Sequence, residues 1–377
     1  MARSIWERPE LCFEERFAHD LLADELAAAG FAVERQACGL DTAFIARAGR
    51  SDAAGPTVAF VCEYDALPGL GHACGHNVIA AAGLGAALAI RGVIDELDGR
   101  VVVLGTPAEE GGGGKGFMIE RGALDGVDVA MMVHPADADL DAFWSIAVHE
   151  LTVTYSGKPA HAAAAPHEGR NALDAAVLGY QAVGALRQHI EGHERVHGIF
   201  TRGGDKPNIV PHRTEMVWFV RSGTSVSLDR LKPRVLAALE SGALATGCTM
   251  THSWGAIAYD ELIMSSTLDR VYAAHALDIG RVVKSRDQRP EFLGSTDMGN
   301  ISHLVPSLHP MIATAPTGTQ IHTPEFAVAA GGPLGAVAAV DGALLLALTA
   351  VDIWLDPQIA RDAAAELAAR PSTVRPS

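Results

Sequence analysis

Three short runs of continuous apolar residues are the feature that most constrains this chain. They span residues 58–62, 101–105 and 129–133, and helical patterns at 78–90 and 115–121 separate them. A strand that is apolar at every position is buried on both faces, as in a parallel sheet covered by helices. The alternation of strand and helix therefore predicts a doubly wound α/β fold with a mostly parallel sheet.

Polar residues follow each of these predicted strands. Asp65 comes after the first run, Glu109 and Glu110 after the second, and His134 after the third. In doubly wound sheets, ligands bind at the carboxyl ends of the strands. We therefore expect these four side chains to meet at one edge of the sheet.

A second group of chemically active residues lies on a glycine-rich loop before a predicted helix, where Cys74 and His76 flank Gly75. A thiolate, imidazoles and carboxylates are the groups that a divalent-metal site with its own general base needs. Each of these short motifs has an ordinary structural explanation when it is considered alone. The Cys-x-His pair also fits a helix start with an incidental thiol, and Glu109-Glu110 fits an acidic helix N-terminus. The metal prediction depends on the combination.

The pattern changes near residue 148, where apolar and polar residues begin to alternate. This region predicts a compact α+β insertion, and the α/β pattern resumes after it. We expect a metal-binding catalytic domain of residues 1–147 and 259–377 and an inserted domain of residues 148–258. The tail after Ala369 is expected to be disordered. Within the insertion, the predicted elements are strands at 148–155, 215–220 and 249–257 and helices at 171–190 and 227–239.

Composition excludes some classes of partner. The 377-residue chain has a formal net charge of −16, which argues against nucleic-acid binding because phosphate recognition needs a basic surface. Its five cysteines are too few and too scattered for a disulfide framework, so a reducing, cytoplasmic location is expected. The apolar stretch 327–351 is long enough to span a membrane. Asp341 in its middle favours a buried helix of a soluble protein, and no membrane association is expected.

Nine segments of the chain, taken in order, resemble the M20 metallopeptidase family, and specifically its amidohydrolase branch, M20D. The loop 295–300 and the Asn after Cys-Gly-His look closest to its aminobenzoyl-glutamate hydrolase and aminoacylase-like dipeptidase subgroup. The matching segments, which cover nearly the whole chain, are residues 6–11, 63–68, 72–77, 107–111, 157–162, 171–174, 208–211, 295–300 and 322–326.

The resemblance implies a site for two divalent metal ions, named here as zinc, with manganese or cobalt as alternatives. Cys74 would bridge the ions, with His76 and His134 completing one position and Glu110 and His322 the other. Without the resemblance, His134 and His322 could not be selected from the 16 histidines of the chain.

The resemblance also implies how the reaction is carried out. Glu109 would be the general base that takes a proton from the attacking water, and Asp65 would orient a metal ligand. His161 would stabilise the oxyanion in the active site of a partner subunit, and Asn208 and Arg221 would contact the substrate carboxylate or the oxyanion. The insertion would be a ferredoxin-like lid or dimerisation domain.

The function that follows is hydrolysis of the amide bond of an N-acyl amino acid or a dipeptide-like conjugate. Two other functions stay open from the residues alone. Cys74 could be the nucleophile of a thiol hydrolase, activated by His76 or His134, or the chain could bind amino-acid conjugates without catalysis. One departure from the family is His212 after Pro211, where relatives often carry an acidic residue.

Overall fold

The computed structural model describes residues 1–289 and 293–370. These form two compact units: the first contains Met1–Ser145 and the chain that resumes at Leu262, and the second contains Ile146–Glu261. The second unit extends slightly beyond the boundaries expected from sequence. Val148 and Tyr259 exchange two backbone hydrogen bonds of 2.9 Å, and Glu261 accepts a hydrogen bond from the Ser225 amide at 2.7 Å.

A six-stranded sheet forms the centre of the first unit, in the order β1-β2-β4-β3-β5-β13. The pairs β3–β4, β3–β5 and β5–β13 are parallel, and β1 and β2 add an antiparallel edge. Two small parallel sheets, β6 with β14 and β7 with β12, flank it. In chain-order numbering the strands are β1 (Ala32–Arg35), β2 (Phe44–Gly49), β3 (Thr57–Glu63), β4 (Arg100–Thr106), β5 (Val129–Met131), β6 (His134–Ala136), β7 (Trp144–Ser145), β12 (Leu293–Gly294), β13 (Ser307–Leu308) and β14 (Met311–Ala313).

Helices pack against this sheet, so the predicted fold class, α/β with a mostly parallel sheet, is confirmed. Every residue of β3 is buried, as its apolar run predicts. The sequence pattern did not reveal β1 and β2, which are short and carry charged residues. The helices of the first unit are α1 (Ala2–Trp6), α2 (Arg16–Ala28), α3 (His76–Ile90), α4 (Gly114–Glu120), α7 (Ser266–Asp278), α8 (Met298–Ser302), α9 (Pro324–Ala330), α10 (Pro333–Leu355) and α11 (Gln358–Ala368).

The apolar stretch near the end of the chain forms two helices rather than the single one predicted, because Gly331 and Gly332 separate α9 from α10. Among the described residues, α10 is the one helix long and apolar enough to cross a membrane, but half of its most apolar window is buried. It packs against α3 and α7 in the core of the first unit. Asp341 in its middle accepts a hydrogen bond from Arg281 at 2.8 Å. The tail beyond Arg370, predicted to be disordered, lies outside the described residues.

The second unit is a four-stranded antiparallel sheet covered by two helices. Its chain order is strand, helix, strand, strand, helix, strand, and its sheet order is β11-β8-β10-β9, which is the ferredoxin-like arrangement. Strand β9 was missed from sequence because only Val196 in it is buried, so it shows no apolar alternation. The elements are β8 (Ala147–Ser156), α5 (Ala172–Leu186), β9 (Arg195–Arg202), β10 (Arg213–Ser222), α6 (Ser225–Thr246) and β11 (Thr249–Trp254).

Candidate metal centre

The polar residues predicted to meet at one edge of the sheet do come together in the first unit. Glu109 and Glu110 lie in the loop between β4 and α4, and His134 begins β6 just after β5. His76 is the first residue of α3, and His322 lies two residues before α9. The carboxyl ends of neighbouring parallel strands bring these loops together, as expected for a doubly wound sheet.

Two groups of potential metal ligands share the thiol of Cys74. In the first group, ligand atoms of Cys74, His76 and His134 all lie within 4.8 Å of one another. In the second group, the same holds for Cys74, Glu110 and His322. The shared sulfur places the two groups side by side, so the geometry suits two ions with Cys74 between them.

The two groups differ in their exposure to solvent. Cys74, His76 and His134 are at most 6% exposed, and the Cys74 Sγ lies 3.6 Å from the His134 Nε2. In the second group, the His322 side chain is 49% exposed, and its Nε2 lies 3.4 Å from the Glu110 Oε1. The first group is therefore enclosed, whereas the second opens to solvent on the His322 side.

Hydrogen bonds fix which nitrogen of each buried histidine faces the centre. The His76 Nδ1 lies 2.9 Å from both the backbone oxygen and the Oδ1 of Asp65, and the His134 Nδ1 lies 2.8 Å from the Pro135 oxygen. These oxygens only accept, so each Nδ1 donates, and the Nε2 of each ring is the nitrogen directed towards the ligand groups. Histidines that bind metals are oriented in this way by their second nitrogen.

Unpartnered buried atoms support the fit to metal ions. The His76 Nε2 and the Glu110 Oε1 are buried and have no hydrogen-bond partner among the described residues, and they lie 3.9 Å apart. A buried polar atom without a partner costs about 1–3 kcal/mol. Cations bound by the two ligand groups would give each of these atoms a partner and remove that cost, and the sulfur, nitrogen and carboxylate donors are of the kinds that divalent metals bind.

The backbone around the centre is held in unusual conformations. Gly75 has a φ of 83°, and a Cβ there would lie 2.7 Å from side-chain carbons of Pro135, so no other residue fits. Ala108 and His322 adopt left-handed φ values of 58° and 63°. Each such residue costs about 1–3 kcal/mol and persists only where its surroundings impose it.

Burial and neighbouring charges set the protonation states. Burial lowers the pKa of His134 to about 4, which keeps the ring neutral and able to bind a cation near pH 7. Burial opposes the charge of Asp65, but His76 outweighs it and holds the pKa of this carboxyl at about 2. Burial, together with the nearby Glu63 and Glu110, raises the pKa of Glu109 well above its usual value. Glu109 therefore has a high affinity for a proton.

A buried ion network beside the centre was not found from sequence. The Lys115 Nζ lies 2.7 Å from the Glu63 Oε1 and 2.5 Å from the Asp297 Oδ1, and all three side chains are fully buried. Carboxylate oxygens of Glu63, Glu109 and Asp297 lie within 4.8 Å of one another. Burial alone would lower the pKa of Lys115, but Asp297 and Glu63 outweigh it and raise that pKa. The ammonium group therefore balances negative charge directly beside Glu109.

Comparison with known proteins identifies the family. The sequence model of peptidase family M20/M25/M40 matches residues 59–330, which include all the ligand candidates. The chain belongs to peptidase family M20. The membership inferred from sequence motifs is thus confirmed, and with it the prediction of an enzyme that hydrolyses amide bonds. Neither the thiol hydrolase nor the non-catalytic binding protein gains support.

Relatives of known activity are similar over most of this M20 protein. A mouse (Mus musculus) Xaa-Arg dipeptidase is 42% identical over 374 residues, covering 95% of this chain and 86% of its own. A p-aminobenzoyl-glutamate hydrolase polypeptide of Escherichia coli strain K12 is 36% identical over 271 residues, covering 66% of this chain and 56% of its own. The sequence similarity to the dipeptidase therefore extends across both units.

Solved structures share the fold of this M20 protein. An aminobenzoyl-glutamate utilization protein from Klebsiella pneumoniae superposes with a TM-score of 0.75 at 21% identity, covering 94% of this chain and 95% of that chain. A Bacillus subtilis protein described as a dinuclear metal-binding peptidase of the M20 family gives a TM-score of 0.70 at 21% identity, covering 94% and 97% of the two chains. At this identity the likeness shows the fold alone.

The remaining candidate residues of this M20 protein lie in the second unit. His161 and Asn208 are exposed, and their loops are paired. His161 forms a β-bridge with Ile209, and the Ala162 amide donates to the backbone oxygen of Asn208 at 3.0 Å. The His161 Nδ1 accepts hydrogen bonds from the amides of Ala163 and Ala164. These bonds leave the Nε2 of His161 as the nitrogen that faces away from its own loop.

Arg221 lies in a different place within the second unit. The paired loops lie near Arg213, at the start of β10. Arg221 is eight residues further along the strand, a distance of about 26 Å at the rise of a β-strand. Its Nε donates to the His197 Nε2 at 3.3 Å, and its guanidinium stacks over Phe219. Within one chain, the structure brings His161 and Asn208 together but does not bring Arg221 to them.

Sequence reasoning also missed residues that hold the centre in place. Asp65 was predicted, but no role was predicted for Glu63, which lies in the segment 63–68, or for Lys115, which begins the predicted helix 115–121. Two signals were available: a charged residue at the end of a fully apolar strand, and a lysine in a run of glycines and apolar residues. Neither signal says that the two side chains meet, because they are far apart in sequence.

Proposed function

We propose that this chain is a metal-dependent hydrolase of dipeptides and N-acyl amino acids, and that dipeptides ending in arginine are among its substrates. The observation that carries the proposal is the pair of ligand groups that share Cys74, with the proton-binding Glu109 beside them. The 42% identity to an Xaa-Arg dipeptidase supports the substrate class. The similarity to an aminobenzoyl-glutamate hydrolase polypeptide supports acylated amino acids as a second class.

The residues that would hold the metals follow from the two groups. Cys74, His76 and His134 would bind one ion, and Cys74, Glu110 and His322 the other. The sulfur and imidazole donors favour zinc, and the carboxylate also suits manganese or cobalt. Two divalent ions in these positions would lower the pKa of a water molecule and polarise the amide carbonyl.

Glu109 would move the protons of the reaction. Its carboxylate takes a proton from the attacking water while the water oxygen bonds to the amide carbon. The same carboxyl group then returns the proton to the amine nitrogen as the carbon–nitrogen bond breaks. The products are a carboxylic acid and an amine, which together contain the atoms of the amide and one water. The Glu109 carboxyl group suits both steps, because the same group can take up a proton as a base and release it as an acid within one turnover.

We assign supporting roles to other residues. Asp65 would orient His76 through its hydrogen bond to the Nδ1. His161 would place its Nε2 on the oxyanion at the centre of a partner subunit, and Asn208, paired to the same loop, would contact the substrate carboxylate. The position of Arg221 at the other end of β10 favours a contact separate from that of Asn208.

A homodimer formed through the second unit belongs to this proposal. Strand β9 lies at the edge of its sheet and carries Ile199, which is 66% exposed, and Phe200, which is 38% exposed. An open, partly apolar edge strand is suited to pairing with a second copy. Sedimentation at micromolar concentration tests this part, since a monomer there contradicts it.

A cytoplasmic location is also part of the proposal. All five cysteines lie in the described part of the chain, and none of them forms a disulfide. Free thiols persist in reducing compartments, where the ligand thiol of Cys74 would remain available for a metal.

A substrate panel with and without metal tests the function. Protein loaded with zinc, manganese or cobalt should hydrolyse Xaa-Arg dipeptides, aminobenzoyl-glutamate or N-acyl amino acids, and exhaustive chelation should abolish the activity. Activity that survives chelation but is lost on thiol alkylation would instead assign Cys74 as a nucleophile. A metal-loaded protein that binds these compounds without cleaving them would identify a binding protein.

A further inference from the structure

A buried carboxylate outside the metal centre holds the loop that carries Glu109. Glu15, at the start of α2, is fully buried. Its Oε1 accepts hydrogen bonds of 2.9 Å from the backbone amides of Phe13 and Ala108, and its Oε2 accepts one of 2.7 Å from the Thr42 hydroxyl. Both oxygens of Glu15 are thus engaged, and one of them holds the residue just before Glu109.

The residue that Glu15 holds is strained. Ala108 is buried and has a φ of 58°, a left-handed conformation that costs a residue with a Cβ about 1–2 kcal/mol. The hydrogen bond from its amide to Glu15 fixes the peptide that enters this turn. Two residues further on, the Glu110 amide donates to the Asp65 Oδ2 at 2.9 Å. The backbone of Glu109 is therefore pinned on both sides by carboxylates.

These two anchors differ in what else they touch. Asp65 also binds the ring of His76, so a change at Asp65 disturbs a ligand candidate directly. The side-chain hydrogen bonds of Glu15 go to Phe13, Thr42 and Ala108, and none of these is a ligand candidate. Glu15 can therefore be changed without removing a contact to the metal-binding side chains.

We propose that Glu15 is a positioning residue for Glu109: it holds Ala108 in its left-handed turn, so that the Glu109 carboxylate is aimed at the reacting water. This inference rests on the proposed role of Glu109. The hydrogen bonds need an acceptor but not a negative charge, and burial raises the pKa of Glu15 to about 7. An amide oxygen can therefore take over its contacts.

Three variants of Glu15 separate positioning from folding. Glu15→Gln keeps an oxygen for both backbone amides, and its NH₂ group can donate to the Thr42 hydroxyl, so it should retain most of the wild-type kcat. Glu15→Ala removes the acceptor, and Glu15→Asp keeps the charge but is too short to reach Ala108. Both substitutions should lower kcat by up to about 100-fold, which is the effect of misplacing a catalytic group by 1 Å. KM and metal content should stay unchanged.

A second substitution tests the strained turn itself. Glycine adopts a φ near 58° without the penalty of a Cβ. Adding Ala108→Gly to Glu15→Ala should therefore recover part of the lost kcat, whereas Ala108→Gly in the wild-type background should change kcat little. A purely structural role of Glu15 predicts no such recovery.

Glu10→Ala is the matched control. The Glu10 carboxylate accepts hydrogen bonds from the Phe17 and Ala18 amides at 2.9 and 3.0 Å, so it caps the same helix, but it has no side-chain bond to the Glu109 loop. It should lower the melting temperature and leave kcat unchanged. If Glu15→Ala does not fold, Glu15→Asp decides the question.

The outcomes distinguish this inference from the proposed function. The positioning role alone is overturned if the wild-type protein hydrolyses its substrate and both Glu15→Ala and Glu15→Asp keep the full wild-type kcat. A loss that follows metal content, or that Ala108→Gly does not recover, also overturns it. A metal-loaded wild-type protein without hydrolytic activity overturns the function of Glu109 first.

Discussion

Most functional candidates of the first unit are enclosed, with the half-exposed His322 as the exception, whereas His161 and Asn208 of the second unit lie at the surface. In the first unit, Cys74, His76 and Glu109 are at most 7% exposed. Several of the side chains around them are fixed by hydrogen bonds to residues far away in sequence. In the second unit, His161 and Asn208 are exposed, and among the described residues the His161 ring is bonded only within its own loop.

This difference shows which of the two units contains features that lower the stability of the fold. The first unit encloses strained backbone, unpartnered ligand atoms and a buried lysine, and each of these has a cost that the surrounding core must outweigh. The second unit carries His161 and Asn208 at the surface at little cost. Changes in the first unit should therefore affect stability, chemistry or both, whereas changes at the exposed candidates should affect chemistry alone.

The largest effect is expected for Glu109→Gln. The amide cannot take up a proton, so turnover should fall by about 10²- to 10⁴-fold, the range for loss of a general base. Metal content measured by plasma emission spectroscopy should stay at the wild-type value, because Glu109 is not one of the proposed ligands. The exposed Glu120 on α4, changed to Gln, is the matched control and should behave as wild type. A fully active Glu109→Gln enzyme would remove the assigned base.

Lys115→Met tests the cost of the enclosed charges. Without the ammonium group, Glu63 and Asp297 are buried without a counter-charge, and breaking a buried ion pair in this way lowers the free energy of unfolding by about 3–5 kcal/mol. Denaturant titration measures the loss.

The second unit offers the control for Lys115. Lys158 and Glu168 form an ion pair of 3.3 Å whose side chains are 60% and 62% exposed. Lys158→Met should change the free energy of unfolding by less than about 1 kcal/mol. Equal effects of the two substitutions would contradict the contrast between the enclosed and the exposed unit.

His161→Ala should separate chemistry from stability. If its Nε2 stabilises the oxyanion, its loss should lower kcat by about 10²- to 10³-fold, or about 2.7–4 kcal/mol. The melting temperature should not change, because the side chain is exposed. His167, on the same loop region and with a side chain 76% exposed, provides the control substitution to Ala. An unchanged kcat for His161→Ala would exclude this residue from the active site.

The smallest effect is expected for Glu366→Gln, away from the metal centre. Glu366 accepts hydrogen bonds from Ser265, Ser266 and Thr267 at the start of α7. Burial opposes the charge of this carboxylate, but the hydrogen bonds outweigh it and lower the pKa of Glu366 to about 2. The stabilisation is fully present above the unfolded-state pKa near 4.3 and is lost as the pH falls through about 2.

Unfolding curves at several pH values measure this effect. At pH 7 the free energy of unfolding of the wild type should exceed that of Glu366→Gln by only about 1 kcal/mol, since the carboxylate is partly exposed and screened by solvent. The difference should shrink as the pH is lowered from 4 towards 2. A difference that is independent of pH would mean that the ionised carboxylate is not the stabilising form.

Much of the fold could be predicted because it follows from local patterns. The apolar runs of β3 and β4 indicated buried strands, and the helix at α3 was found within two residues of its start. The edge strand β9 was missed because it buries only Val196, and helix α6 runs beyond its predicted end at Leu239 to Thr246. Local patterns report burial, so a strand such as β9, which buries little, is missed.

The candidate site was only partly predictable. Glu109, Glu110 and Cys74 were indicated by their positions after strands and beside glycines. His134 was indicated by its position after a predicted strand, but its role as a ligand, like that of His322, was assigned only by family resemblance. No role could be predicted for Glu15, since a carboxylate in the first turn of a helix has an ordinary explanation in the helix dipole.

The sequence by itself determined the buried strands of the central sheet and the helices between them. It also determined which residue types lie at the ends of those strands. Hydrophobic periodicity and strand polarity are properties of neighbouring residues, so they can be read along the chain. Only the tertiary structure decided that Lys115 lies between Glu63 and Asp297, that Cys74 is shared by two ligand groups, and that Glu15 holds Ala108. These contacts join residues that are far apart in sequence, and their positions depend on how the whole core packs.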